Sequence, residues 1–198
     1  MDAATLRVAK FLASFGLRCE EFAKAERNSS KTPDLRVFQG DTLVFFCEVK
    51  EVAEDTWLKQ KLDKALPGEI VGGARPDPIY NRVSNKIHEA VTQLDAVNPD
   101  RKYPNVLVFL NNDRMADQND LRAVLTGAVP LQGGGTFPGF KEYSEGRIRE
   151  EKWRIDLFIW IDEKNNKPLY TFTERNVTHR DTLLKLLGVS PSMIQEWK

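Results

Sequence analysis

Hydrophobic residues recur with two different spacings along this chain, and the two spacings divide it into helices and strands. Apolar side chains three or four residues apart indicate amphipathic helices, whereas short, nearly continuous apolar runs indicate buried strands. The helical spacing covers 3–14, 51–66, 80–96, 120–129, 182–187 and 190–197. The strand pattern covers 17–22, 35–38, 43–49, 105–110, 153–161 and 169–172. Alternating helices and strands predict an α/β fold.

The stretch from 33 to 50 predicts a β-hairpin that carries charged residues at its ends. Gly40 lies between the apolar runs 35–38 and 43–49 and supplies the residue that a tight turn requires. Strand side chains alternate between faces, so Glu48 and Lys50 share one face. The hairpin also brings Asp34, at the start of the first strand, towards them. A helix and then a strand follow the hairpin, which predicts a crossover connection and a mixed central sheet.

Two converging carboxylates predict a cation site at this end of the hairpin. Neighbouring ionised carboxylates repel each other, and burial makes both charges more costly. A hard divalent ion with oxygen ligands would neutralise them, and Mg²⁺ typically binds one or two carboxylates together with water and phosphate oxygens. A lysine beside such an ion is suited to holding a phosphate group or a nucleophilic water.

This arrangement resembles the PD-(D/E)xK nuclease superfamily. Pro33 and Asp34 match the PD element, and Glu48, Val49 and Lys50 match ExK. The resemblance implies a restriction-endonuclease-like core of αβββαβ type, with a central mixed sheet flanked by helices and an extra C-terminal hairpin and helices. It also implies a Mg²⁺-dependent endonuclease, with Mn²⁺ as an alternative ion. Asp34, Glu48 and the Val49 carbonyl would bind the metal, and Lys50 would orient or deprotonate the attacking water.

The helix predicted over 80–96 carries two further candidates for the site, Lys86 and Gln93. Several families of this superfamily place a lysine or glutamine on the helix after ExK, facing the metal. The resemblance therefore implies that Lys86 and Gln93 hold phosphate or water, while an ordinary polar helix face explains them equally well.

The first predicted helix lacks the acidic residue that often joins the metal site in this superfamily. Three glutamates shortly after it are possible substitutes, and solvated surface charge is the alternative for each: Glu20, Glu21 and Glu26.

The charge balance excludes a strongly basic nucleic-acid-binding protein. The chain has 198 residues, with 29 Lys plus Arg and 29 Asp plus Glu. A DNA partner would therefore have to meet a local positive groove. The candidates for contacts with the DNA backbone are Lys59, Arg75, Arg82 and Arg114.

The remaining composition favours a single cytoplasmic domain. No apolar run approaches the length of a membrane span, and the two cysteines form no CxxC pair. We expect a core at about 1–125 and a C-terminal elaboration at about 126–198 within one domain, with no membrane partner.

One alternative uses the same fold without catalysis. The chain would then be a catalytically inactive module that binds nucleic acid or protein and retains the acids as a remnant. The sequence leaves open DNA or RNA, and duplex, branched or single-stranded substrates. It also leaves the oligomeric state open; a homodimer fits an enzyme that cuts two strands.

Overall fold

The computed structural model describes residues 1–54, 56–73, 79–131, 133–162, 168–173, 177–190 and 194. The helical segments are α1 (Ala3–Ala13), α2 (Lys24–Ser29), α3 (Thr56–Lys64), α4 (Ile79–Val97), α5 (Gln118–Thr126), a π-helical turn (Glu142–Arg147), a 3₁₀ turn (Glu151–Arg154) and α6 (Val177–Leu186). The strands are β1 (Arg18–Glu21), β2 (Leu35–Gln39), β3 (Thr42–Val52), β4 (Asn105–Asn111), β5 (Val129–Pro130), β6 (Thr136–Phe137), β7 (Leu157–Asp162) and β8 (Leu169–Phe172).

A six-stranded mixed sheet forms the centre of the fold, in the order β1-β2-β3-β4-β7-β8. The β1–β2, β2–β3 and β7–β8 pairs are antiparallel. The β3–β4 and β4–β7 pairs are parallel, so each needs a crossover connection, and α4 lies in the first of them. The predicted α/β fold with a mixed sheet flanked by helices is confirmed.

The predicted hairpin is present and sets the register of the candidate site. Gly40 turns the chain with a φ of +59°, a conformation that favours glycine. Leu35 pairs with Cys47 across the two strands. The residues next to this pair, Asp34 and Glu48, therefore approach each other on the same face of the sheet.

Alternating side chains of β3 contribute to two separate hydrophobic layers. Phe46 and Val52 pack with α4 and α5 on one face, whereas Phe45 and Cys47 pack with α1 and α6 on the other. Glu48 and Lys50 have the same parity as Phe46 and therefore lie on the α4 side. The prediction that they share a face is confirmed.

Several predicted elements have different bounds in the structure. The helices predicted over 120–129 and 182–187 are Gln118–Thr126 and Val177–Leu186, and Val129 belongs to β5. The helix predicted over 51–66 begins at Thr56, because β3 continues to Val52 and pairs there with Asn111 of β4. The strand predicted over 153–161 begins at Leu157, since the preceding residues form the 3₁₀ turn. The helix predicted over 190–197 lies outside the described residues apart from Ser190 and Ile194, of which Ile194 bridges to Tyr170.

Among the described residues, no helix is both long enough and apolar enough to cross a bilayer.

Two helix-terminal glycines provide a test of local packing. Gly16 and Gly127 follow α1 and α5 with φ of +74° and +77°. A Cβ at Gly16 would meet nothing within 4 Å, whereas one at Gly127 would lie 2.6 Å from Ser144 Oγ. We expect Gly16→Ala to cost about 1–2 kcal/mol of unfolding free energy. Gly127→Ala should cost a further ~1–3 kcal/mol because of the clash.

Denaturant unfolding of the two variants measures this difference directly. Equal losses for Gly16→Ala and Gly127→Ala would contradict the close packing of the π-helical turn against the end of α5.

Candidate functional site

Asp34 and Glu48 lie together where β2 begins, and two hydrogen bonds join the start of β2 to β3 there. The Asp34 backbone N–H donates to Glu48 Oε2 at 3.0 Å, and the Val49 N–H donates to Asp34 Oδ2 at 2.8 Å. Glu48 is 1% exposed, and Pro33 beside Asp34 is also buried. The hairpin register therefore produces the predicted approach of the two carboxylates, while their function stays a prediction.

Lys50 completes the cluster from the same strand. Its Nζ lies 2.9 Å from Glu48 Oε1 and donates to Gln93 Oε1 at 2.9 Å. Glu89 Oε2 lies 3.5 Å from the same nitrogen. The Lys50 side chain is only 14% exposed, so these three partners, two of them on α4, hold its ammonium group in place.

Gln93 joins Lys50 to the loop that precedes β2. Its Nε2 donates to the Thr32 carbonyl at 3.1 Å, while its Oε1 accepts from Lys50. Gln93 was predicted at this site, and its proximity to Lys50 is confirmed. The sequence analysis assigned no role to Glu89 or Thr32. Glu89 has helical spacing between Lys86 and Gln93, and that spacing could have indicated its place at the site. Thr32 contributes only its main-chain carbonyl, which no sequence pattern indicates.

Lys86 lies half-buried on α4, one turn before Glu89. Burial lowers the pKa of Lys86, and the nearby positive charges of Lys50 and Arg82 add to this, while Glu89 raises it. Lys86 makes no hydrogen bond or ion pair with another described residue. A partly desolvated ammonium group therefore faces the same region as Lys50, where an anion would stabilise it.

The electrostatics of the two carboxylates favour a bound cation. Burial, followed by the charge of Asp34, raises the pKa of Glu48 to about 8 despite its contact with Lys50. Burial also raises the pKa of Asp34, although the Val49 N–H and the Lys50 charge lower it. The Lys50 ammonium group thus offsets only part of the cost of ionising both carboxyl groups. A further positive charge would stabilise both ionised forms.

The donor set fits a hard divalent ion. The candidate ligands are the Asp34 and Glu48 carboxylates and the Val49 main-chain carbonyl, which are all oxygens, as Mg²⁺ and Mn²⁺ prefer. Within the described ranges, no group of three His, Cys, Asp or Glu side chains is arranged to hold a metal. Water and phosphate oxygens would therefore supply the other ligands.

The three glutamates considered as additional ligands each pair with a positive group elsewhere. Glu20 pairs with Arg18, Glu21 with the Met1 amine and Arg27, and Glu26 with Arg36. A different acid affects the site: the charge of Asp2 contributes to the raised pKa of Asp34. Asp2 also accepts a hydrogen bond from the Thr5 N–H and caps α1. Neither the cap nor the influence of Asp2 on Asp34 was predicted from the sequence.

The four residues predicted to contact DNA have different environments. Lys59 and Arg114 are exposed and lie near Asp63 at 3.3 Å and Glu54 at 3.4 Å. Arg82 instead binds the buried Asp113 at 2.6 Å and donates to the Ala53 carbonyl, so it anchors the start of α4. Arg75 lies outside the described residues.

Comparison of the chain with protein families, curated proteins and solved structures finds no match in any of the three. The functional interpretation therefore depends on the geometry and electrostatics of the site.

The raised pKa of Glu48 predicts a pH-dependent stability difference for Glu48→Gln. In the metal-free fold the Glu48 pKa is about 8, against a reference value of 4.5. A raised folded-state pKa favours folding below the unfolded-state pKa, and this contribution is lost as pH rises towards 8. Glu48→Gln removes the titration, so its stability relative to the parent should increase between pH 5 and pH ~8.5.

Denaturant unfolding in EDTA at the two pH values measures the effect. Glu51→Gln, on the exposed part of the same strand, controls for removal of one negative charge. A stability difference for Glu48→Gln that stays constant across this window would contradict the assignment.

Proposed function

We propose that the chain is a metal-dependent nuclease of the PD-(D/E)xK type that hydrolyses phosphodiester bonds of DNA. The observation that carries the proposal is the convergence of Asp34, Glu48 and Lys50 on one face of the hairpin. Mg²⁺ or Mn²⁺ bound by Asp34, Glu48 and the Val49 carbonyl is part of the proposal.

A restriction-endonuclease-like core is part of the same proposal. It is supported by the order α1, β1, β2, β3, α4, β4, which corresponds to αβββαβ when the short helices α2 and α3 are set aside. The antiparallel β2–β3 hairpin followed by a crossover to parallel β4 agrees with it as well. The β7–β8 hairpin extends the sheet beyond this core.

The site residues have separate tasks in the proposed hydrolysis. Asp34 and Glu48 bind the ion and position it beside Lys50. A bound Mg²⁺ supplies a Lewis acid and lowers the pKa of a coordinated water. Lys50 orients the nucleophilic water and stabilises the negative charge that grows on the phosphate oxygens. Gln93 and Glu89 hold the Lys50 ammonium in position, and Lys86 offers a second cation to the phosphate.

A binding module without catalysis is the alternative, and the contacts of the carboxylates favour it in one respect. Both oxygens of Glu48 and one of Asp34 already accept hydrogen bonds or an ion pair within the protein. In an enzyme, the ion has to share or replace those contacts.

Substitution of Asp34 and Lys50 should separate catalysis from folding. We expect Asp34→Asn and Lys50→Ala to lower Mg²⁺-dependent DNA cleavage by at least about 100-fold, because each removes a group that acts on the ion or the phosphate. A panel of plasmid, linear, branched and single-stranded substrates with Mg²⁺ or Mn²⁺ measures cleavage. Calorimetric titration should show Mg²⁺ binding that Asp34→Asn removes.

Asp41→Asn and Lys59→Ala are the matched controls, on the hairpin turn and on α3. Both should retain Mg²⁺ binding, and Asp41→Asn should also retain full cleavage. Cleavage by Lys50→Ala at the parental rate contradicts the nuclease assignment. Absence of any Asp34-dependent binding heat, together with no cleavage, favours the inactive module.

Gln93→Ala tests whether α4 positions the lysine. The variant loses the contacts to Lys50 Nζ and the Thr32 carbonyl, so we expect kcat to fall about 10-fold or more with Mg²⁺ affinity nearly unchanged. Thr92→Ala, an exposed neighbour on α4, is the control. If Gln93→Ala weakens Mg²⁺ binding and leaves kcat unchanged, Gln93 acts on the ion and not on Lys50.

A further inference from the structure

A compact segment next to the candidate site leaves large apolar side chains in solvent. Helix α3 and the chain to Gly73 form this segment, and Leu62, Leu66 and Ile70 are 55%, 74% and 95% exposed. Among the described side chains of α3, Trp57 is half-buried and the others are exposed. Amphipathic helices normally bury their apolar face against the core. Helix α3 instead leaves Leu62 in solvent.

The segment nevertheless has a defined local structure. Lys61 Nζ lies over the Trp57 ring, 4.5 Å from its centroid, and donates to the Gly72 carbonyl at 3.0 Å. Gly73 packs closely against the Trp57 side chain, because a Cβ at Gly73 would lie 3.1 Å from the Trp57 ring. The Leu66 N–H donates to Glu69 at 2.9 Å and closes the turn after α3. The exposed apolar groups therefore belong to an ordered surface.

Positive side chains are interspersed among these apolar groups. Lys59 and Leu62 lie on the same face of α3, at i and i+3, and Leu66 follows two residues after the helix ends. Lys61 and Lys64 border a shallow depression of about 270 Å³ that Ile70 also lines. We call Lys59, Lys61, Leu62, Lys64, Leu66 and Ile70 the α3 surface.

The α3 surface lies within reach of the proposed scissile phosphate. Thr56 begins α3 only six positions after Lys50, which limits their separation to about 20 Å. Arg82, at the start of α4, donates to the Ala53 carbonyl at 2.9 Å and fixes the chain immediately before α3. The start of α3 therefore lies within about six nucleotides of a phosphate held at Lys50.

We propose that the α3 surface binds a single-stranded segment of nucleic acid beside the cleavage site. The proposal rests on the nuclease function above and specifies its substrate class. The lysines complement phosphate charge, and the apolar side chains complement the faces of unstacked bases. A duplex presents mainly phosphates outwards and keeps its base faces stacked, so it would leave Leu62, Leu66 and Ile70 exposed.

Binding without cleavage tests the proposal. The full chain in EDTA is titrated into fluorescein-labelled oligothymidine and, separately, into a blunt mixed-sequence duplex, with anisotropy as the readout. We expect tighter binding of the single strand. The double variant Leu66→Ala/Ile70→Ala should weaken single-strand binding at least about fivefold and leave duplex binding unchanged. Val177→Ala, which alters an apolar residue on α6 that is 64% exposed, should change neither.

Salt dependence separates the charged part of the surface from the apolar part. Lys59→Ala/Lys64→Ala should reduce the slope of log Kd against log salt for the single strand by about 1.4, which corresponds to two lost phosphate contacts. Leu66→Ala/Ile70→Ala should lower the affinity with no change in this slope.

Equal affinity for the two nucleic acids, with no effect of Leu66→Ala/Ile70→Ala, overturns the proposal. So does light scattering that shows a wild-type dimer dissociating in that variant, because the α3 surface would then join two copies of the chain. If the single-strand preference is found but no nucleic acid is cut with Mg²⁺, the nuclease function fails and the α3 surface stands. If DNA is cut with Mg²⁺ but Leu66→Ala/Ile70→Ala binds and cuts the single strand as the parent does, the α3 surface fails and the nuclease function stands.

Discussion

Burial of the Glu48 carboxylate in the middle of the sheet is the constraint on which the rest of this site depends. A buried carboxylate requires a donor for each oxygen, and here the Asp34 N–H and the Lys50 ammonium provide them. Those contacts also fix where β2 begins and where Lys50 points. The register of the hairpin and the geometry of the site therefore follow from the same requirement, and a slip of one residue would lose both.

Helix α4 supplies the other half of the site and is anchored at both ends by ion pairs. Arg82 in its first turn binds Asp113 after β4, and Asp95 near its end binds Arg154 in the 3₁₀ turn at 2.7 Å. Between these anchors Gln93 reaches both Lys50 and the loop before β2. Because α4 is held in place near both ends, the neutral side chain of Gln93 can set the position of the charged Lys50 on β3.

Strand alternation and the glycine turn were enough to predict the hairpin and the shared face of Glu48 and Lys50, since both depend on local geometry. Contacts across long sequence separations could not be predicted in this way. The influence of Asp2 on Asp34 and the bond from Gln93 to the Thr32 carbonyl depend on how elements pack. Periodicity also indicated that α3 is a helix, but it could not show that Leu62 and Leu66 remain uncovered, because that depends on what lies opposite them.

The parallel pairing of β3, β4 and β7 has a consequence for biosynthesis. The β2–β3 hairpin can close from neighbouring residues, but its β3 edge gains a partner only after residues 105–111 are made, and β4 waits for 157–162. During translation, the apolar β3 edge thus lacks its partner while residues 53–111 are being added, and β4 lacks its second partner until residue 162 is made. An unpaired apolar strand edge favours aggregation, so the strand order sets the interval in which the emerging chain is most exposed to it.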